Sequence, residues 1–582
     1  MKEKRKNIKQ QHILQLLMTV MIILLVNIIG SFIFTRFDLT SEKRYTLSKT
    51  TLKMLKELDD YVYFKVYLDG EYPAGFKRLH NETQEMLDEF KAYSKFIQYE
   101  FINPSANPNK KLVENLHQQL MSKGLSPTNL FVKTKSGSSQ QIIFPGAIAT
   151  YQEKEMPVQL FNSQIGVPPE EVLNNSIQSL EFNMANAIKK LTIKEKAKVA
   201  FVTGHGELEP KRIADIAWRL SEYYDVSLVK IDEKINSLRT VVHEKNNTIS
   251  YKNKCKALII AKPDSTFSEK DKFIIDQFIM RGGKVLMLID PVFASMDSLQ
   301  NSYSTISMPL PLNLEDMLFK YGVRLNTNLI LDLNAVPIPM VTGQVGDRPQ
   351  QSLLPWYFFP LLTPSIKHPI VNNLNAIKTE FISSIDTVGS PSIHKTILLQ
   401  TSRHSRILNS PCPIRLDIIM KQPDVRLYSK PPQNVAVLLE GQFESVFKNR
   451  ILPELADSKE IGFLDKSRKT AICVISDGDI IKNQFRYDNG KNIPLPLGYD
   501  KYTNQTFGNA DLILNIMNYL CDDSGLIAIR SRELKMRLLD KTKLEDNLFF
   551  WQIVNVLLPA LFVIVFGILQ FIIKKNKYAR TI

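Results

Sequence analysis

Apolar and polar positions follow three regimes along the 582-residue chain. Two stretches, residues 13–34 and 548–573, contain no charged side chain at all. At about 1.5 Å per residue, each is long enough as a helix to cross a hydrocarbon core of about 30 Å. Between them, apolar residues recur either every second position or with helical spacing, the pattern of strands alternating with helices. A short helix is expected to open near Ser48, because Leu47, Leu52, Leu55 and Leu58 share one face.

The alternation predicts two α/β domains. In residues 40–195, YVYFKVYL (61–68) and IQYEFINP (97–104) read as strands, separated by the helical FKRLHNETQEMLDEFKAYS. A helix over 110–124 follows, then two strand-like runs, then one long helix opened by Pro168-Pro169 and Glu170-Glu171. That order, βαβα, two strands and a helix, is the order of a thioredoxin-like domain. No cysteine occurs before Cys255, so thiol redox chemistry is excluded for this region.

Residues 197–525 predict a doubly wound α/β domain with a parallel sheet covered on both faces. AKVAFVTG, DVSLVKI, CKALIIAKP and KVLMLIDP read as buried strands with helices between them. Further strands are expected at 329–333, 379–388, 394–402, 434–447 and 470–478, with a closing helix over 508–520. Residues 335–369 hold seven prolines and the cluster Trp356-Tyr357-Phe358-Phe359. This segment is expected to be an irregular insertion, either covering a sheet edge or presenting those four aromatics to a partner.

Charge sets the topology. The tail 1–12 carries five basic side chains and one acid, and the tail 574–582 carries four basic side chains and none. Short basic flanks stay cytoplasmic, which predicts two membrane spans, both termini inside and the bulk of the chain outside. The first span outruns a signal-peptide core and has no cleavage signal after it, so it is expected to remain as an anchor. Much of the net charge of +15 lies in these tails and in the basic juxtamembrane segment 526–547, so it is not a nucleic-acid footprint. Cys255, Cys412, Cys473 and Cys521 are widely spaced, without a C-x-x-C pair, and leave a disulfide open.

Ligands of a doubly wound sheet bind outside the carboxyl ends of its strands. His205 with Glu207, Asp290, and Asp477 with Asp479 all fall at such ends. Sharing one crevice, they would suit a solute or glycan, or a metal-assisted hydrolase. Each also has a plain structural reading: glycine-flanked turns at Gly204 and Gly206, a helix N-terminus at Glu207 or Glu209, turn chemistry at Asp290 and Asp477-Gly478. There is no G-x-S-x-G, H-E-x-x-H, P-loop or G-x-G-x-x-G motif, and the remaining histidines lack metal-ligand spacing. The residues therefore point to no catalytic set, no metal and no cofactor.

FDLTSEKRYTLSKTT, SIQSLEFNMANAIKKLT, VAFVTGHGELE, MRGGKVLMLIDP, FGNADLILNIMNYLCDD and KMRLLDK occur in this order between the two apolar stretches. Together they resemble the GldG family, gliding-motility-associated ABC transporter auxiliary proteins of the Bacteroidota, over nearly the whole chain. The resemblance implies a non-enzymatic inner-membrane subunit, with periplasmic domains, acting beside an ABC ATPase and a multi-span permease. It also implies that the second domain has a type 1 glutamine amidotransferase-like fold used for assembly. The nucleophilic cysteine of working amidotransferases is missing at the corresponding turn of this sequence.

Overall fold

The computed structural model describes residues 13–27, 46–531 and 547–578, apart from 135–136, 244–248, 301, 347, 365, 390, 453, 455–457, 459 and 489. The chain divides into two compact units, one of Tyr45–Arg532 and one of the two ends, Met1–Arg44 with Glu533–Ile582.

The end unit contains apolar helices. Among the described residues one helix is long and apolar enough to cross a membrane, Leu548–Asn576, while Ile13–Asn27 is shorter. The rest of the expected first span, 28–34, lies outside the described residues, as do the tail 1–12 and most of the basic segment 526–547.

In the larger unit, the first half builds a four-stranded sheet on β1 (Val62–Val66), β2 (Ile97–Phe101), β5 (Gly146–Tyr151) and β6 (Lys154–Gln159), in the order β2-β1-β5-β6. β1 and β2 are parallel because the twenty-residue helix α2 (Ala74–Tyr93) crosses between them. β5 runs antiparallel to both β1 and β6. The helix α1 (Lys49–Lys56) opens on Ser48, whose hydroxyl accepts from the Thr51 amide. α3 (Lys110–Ser122) precedes a separate hairpin, β3 (Thr128–Thr134) with β4 (Gly137–Ile143). The expected long helix is two, α4 (Pro169–Gln178) and α5 (Leu180–Thr192), joined at Ser179. Phe64, Leu79, Phe90, Ile97, Met184 and Ile188 fill this core.

Leu526 and Ile529 belong to the same core as Leu47 and Leu55. Residues 526–531 are the described start of the segment 526–547. They form a 3₁₀ turn packed back onto the body, because their apolar positions Leu526, Ile527 and Ile529 are all buried.

The second half is a seven-stranded sheet. Its strands are β7 (Lys198–Thr203), β8 (Asp225–Lys230), β9 (Ala257–Ala261), β10 (Lys284–Leu288), β14 (Ile393–Gln400), β15 (Asn434–Gly441) and β16 (Thr470–Ile475). The order is β14-β15-β16-β10-β9-β7-β8. The five strands from β16 to β8 are parallel, and β15 and β14 add an antiparallel edge. Strand residues alternate between two cores. Phe201, Ile259 and Leu286 face α6 (Ala214–Ser221) and α9 (Asn509–Cys521). Val202, Ile260 and Met287 face α7 (Glu269–Met280) and α8 (Glu315–Tyr321).

The segment 335–369 departs from the expected irregular insertion. After β11 (Asn328–Asp332), it forms a long hairpin of β12 (Ala335–Val345) and β13 (Arg348–Leu362). Prolines 337, 339, 349 and 355 are accommodated because the ribbon has only two strands over most of its length, leaving each strand an unpaired side where no amide is needed. Trp356, Tyr357, Phe358 and Phe359 are not a surface: they are buried at the base of the hairpin against Val336, Phe381 and Tyr428. Four adjacent aromatic rings gain much from removal from water, which favours their burial. Of the expected strand 379–388, only Ile385–Thr387 is paired as a strand, and Phe381 has a positive φ of 52°.

Candidate functional site

The order of the sheet reverses after β8. The chain leaves β7 for the edge, then returns to the other side of β7 as β9, so the carboxyl ends of β7 and β9 flank the switch point. His205 follows β7 and Lys262 follows β9. Asp290 follows β10, and Asp477 and Asp479 follow β16. Four neighbouring parallel strands thus aim charged or titratable groups at one edge.

The turn after β7 is sterically dictated. Gly204 and Gly206 have φ of 126° and 72°, and a Cβ on Gly206 would fall 1.5 Å from Asp264 Oδ1. The turn buries His205, whose ring stacks on Phe267 with centroids 3.8 Å apart. Nε2 lies 3.1 Å from Asp271 Oδ2. Nδ1 lies 3.4 Å from Glu207 Oε1, an ion-pair contact without hydrogen-bond geometry, and the His205 amide donates to Glu207 Oε2 at 2.7 Å. Burial opposes protonation of the ring, but the two carboxylates outweigh it and raise the imidazole pKa. Glu207 is shifted down: burial opposes its charge, and His205 with two backbone amides more than compensates. Asp271 is fully committed, accepting also from the Ser268 hydroxyl and the Glu233 amide.

The carboxylates of the other strands gather on Lys262. Its ammonium lies 3.0 Å from Asp290 Oδ2 and pairs closely with Asp479. Lys482 reaches the other Asp479 oxygen at 2.5 Å. The Gly478 amide donates to Asp290, and the Asp479 and Glu380 amides donate to Asp477 at 2.8 and 3.0 Å. Burial acts first on all three acids, and its balance with charge differs at each. Asp477, facing the charges of Asp290 and Asp479, is pushed well up. Asp290 is raised despite Lys262. Asp479, held between two ammonium groups, is held down at about 2. Lys262 itself is raised, since the two carboxylates outweigh its burial.

Of the five sequence candidates, the structure therefore joins Asp290, Asp477 and Asp479 in one network and gives His205 and Glu207 a different set of partners. Among the described residues no hydrogen bond or ion pair links the two groups. The single shared crevice is replaced by two separate clusters, of which the one at His205 leaves Nδ1 and Glu207 Oε1 without a hydrogen bond, and the Lys262 side chain occupies the space between its strand and β16: a Cβ on Gly478 would fall 2.6 Å from it. Among the described residues no three His, Cys, Asp or Glu side chains are arranged to hold a metal ion. The sequence reading missed Lys262, Lys482, Asp271 and Phe267. Lys262 was detectable by the rule that found Asp290, since it directly follows a buried strand. Asp271 and Phe267 carry no local signal of their own, lying more than sixty residues from His205.

All four cysteines are free and buried. Burial pushes the thiols of Cys255 and Cys521 up to about 12, far from the nucleophilic range.

Comparison with known proteins adds the following. An uncharacterized protein of Borreliella burgdorferi is similar at 20% identity over 578 residues, covering 98% of this chain and 99% of its own. A solved structure described as the mmIFT52 N-terminal domain is matched over 58% of this chain and 100% of its own, with 10% identity and a TM-score of 0.30, too distant to bear on the fold. Residues 41–150 match a domain of unknown function. Residues 196–516, more than half of the chain, match the family model for an auxiliary component of ABC transporters, described as an ABC-type uncharacterized transport system. The sheet and its switch point lie within that match, and the chain belongs to this ABC-type transport family.

Proposed function

We propose that the protein is a membrane-anchored, non-catalytic accessory subunit of an ABC transport complex. The observation that carries this reading is the network at the strand ends. Where a doubly wound sheet would receive a ligand, this chain puts its own Lys262 between Asp290 and Asp479. Removing that lysine's pairing would leave buried carboxylates uncompensated, so the network resists opening for a substrate. His205 is likewise stacked, buried and bound to carboxylates rather than poised beside a nucleophile.

The finer reading follows the resemblance in sequence. The body acts in the periplasm beside an ABC ATPase and a multi-span permease, held by apolar helices at both ends, with both termini in the cytoplasm. Its first half is a thioredoxin-like module and its second an amidotransferase-like one, used for assembly or for gripping exported material in cells that glide. The parallel β1–β2 pair with its crossover helix, and the five parallel strands of the large sheet, support those fold assignments. A domain tethered at both ends is suited to passing movement across the membrane and cannot diffuse to gather solute.

Gentle solubilisation of native membranes and purification through a tag on this chain is the test. Recovery of an ATPase and a permease in fixed proportion is expected. Recovery of the chain alone, from a detergent that preserves other complexes, would overturn the proposal.

A further inference from the structure

The two edges of the seven-stranded sheet are built differently. At β14 the register against β15 shifts between Ile397 and Leu399 and again between Leu399 and Gln400, an irregularity of the kind that blunts an edge. At β8 there is no such protection. It pairs with β7 in an unbroken register, from Lys198 opposite Asp225 to Thr203 opposite Lys230, and among the described residues no strand pairs with its other side. Its central residues, Val226-Ser227-Leu228-Val229, carry neither charge nor proline, and Leu228 is 53% exposed.

The direction of the free peptide groups follows from the bonds already made. The Asp225 amide donates to the Ala197 carbonyl and the Ile231 amide to the Thr203 carbonyl, so the odd-numbered residues turn their peptide groups to β7. Val226, Leu228 and Lys230 direct theirs outward. Val226 packs against the core that α6 covers, and strand alternation puts Leu228 on the same face. α6 flanks that face with a further exposed apolar ring, Trp218.

We propose that β8 pairs with β8 of a second copy of this chain, antiparallel about a two-fold axis at Leu228. In that register every outward peptide group of the strand is satisfied. Leu228 exchanges both bonds with the second copy's Leu228, and Val226 and Lys230 exchange theirs crosswise. The exposed leucines meet on one face, and no ammonium stands opposite another. Charge selects the antiparallel arrangement of like strands. β8 begins on Asp225 and ends on Lys230, both exposed and neither ion-paired among the described residues, and reversal sets the acidic start of one strand beside the basic end of the other. Such a contact is isologous and closes on itself, leaving no free edge there. The inference rests on the sheet edge, not on the transporter reading.

The test uses the full chain in a nonionic detergent. Light scattering is expected to give a protein mass of two chains, falling to one in Leu228→Lys, which sets two ammonium groups face to face at an exposed position. Thiol pairing checks the register, the four native cysteines being buried. Opposed Leu228 positions lie about 5.5 Å apart between Cα atoms, within disulfide reach, so Leu228→Cys should form a reducible dimer on mild oxidation. Lys230→Cys should not, because its two copies would be offset by four residues, about 14 Å along the strands. A single-chain mass for the native protein, a dimer that survives Leu228→Lys, or Lys230→Cys linking as readily as Leu228→Cys overturns the proposal. So does linkage of Leu228→Cys to a different protein, which would assign the edge to a foreign strand.

Discussion

Lys262 decides the character of the strand ends. It compensates Asp290 and Asp479 in a buried setting, where removing one member of an ionic set typically costs about 3–5 kcal/mol. Lys262→Met is expected to destabilise the body by that order, measured by urea unfolding, while Lys262→Met with Asp479→Asn recovers part of the loss. His205 makes a pH-dependent contribution of definite sign. Its folded pKa is raised above 6.5, so its stabilisation is complete below that value and is lost as pH rises through the folded pKa. Glu207, lowered from 4.5, contributes above that value and loses its contribution as pH falls through its folded pKa. The difference in melting temperature between the native chain and His205→Gln should therefore shrink as pH rises above 6.5 and through the folded pKa. A difference independent of pH would mean that the imidazole titrates alike in the folded and unfolded chain. His205, Glu207, Asp290, Asp477 and Asp479 were legible in the sequence as strand-end groups, but Lys262 and their other partners were not. His205 and Asp271 are brought together by the packing of α7, and no spacing along the chain announces that.

At the scale of elements, alternating strands and helices were readable because burial imposes their periods on the sequence, as in KVAFVT and ALIIA. The hairpin β12–β13 was not, because its prolines disguise extended chain as irregular chain. A two-stranded ribbon tolerates them where an interior strand would not. The antiparallel edge strands β14 and β15 were visible as strands, but their direction was not, since direction is set by connections rather than by composition. The burial of the aromatic base gives a direct check. Trp356→Ala should cost about 3–5 kcal/mol, the range for emptying a large aromatic site in a core, whereas truncation of an exposed docking ring would leave stability unchanged. Exposed Val341 and Leu353, farther out on the same hairpin, should tolerate alanine with less than about 0.5 kcal/mol of change.

Within the body, polar groups help to join its two halves. Arg530, half-buried, lies over the Phe182 ring and donates to the Asn372 carbonyl and to Asn515, tying α5 to α9. The Asn186 amide donates to the Tyr223 hydroxyl at 2.8 Å across the same junction. The native body is expected to unfold in one calorimetric transition and Arg530→Ala to split it into two, because each half has its own core. One unbroken transition in that variant would show that the junction is held mainly by apolar contact. The placement of Leu526 and Ile529 in the core of the first half also orders events in time. That core is begun by Leu47 and finished by residues about 480 positions later. At roughly 5–20 residues per second, the ribosome needs on the order of half a minute or more to supply them. The amino-terminal half must wait for the end of its own synthesis before its last apolar surface is closed, and in that interval it is the part of the nascent chain most in need of a chaperone.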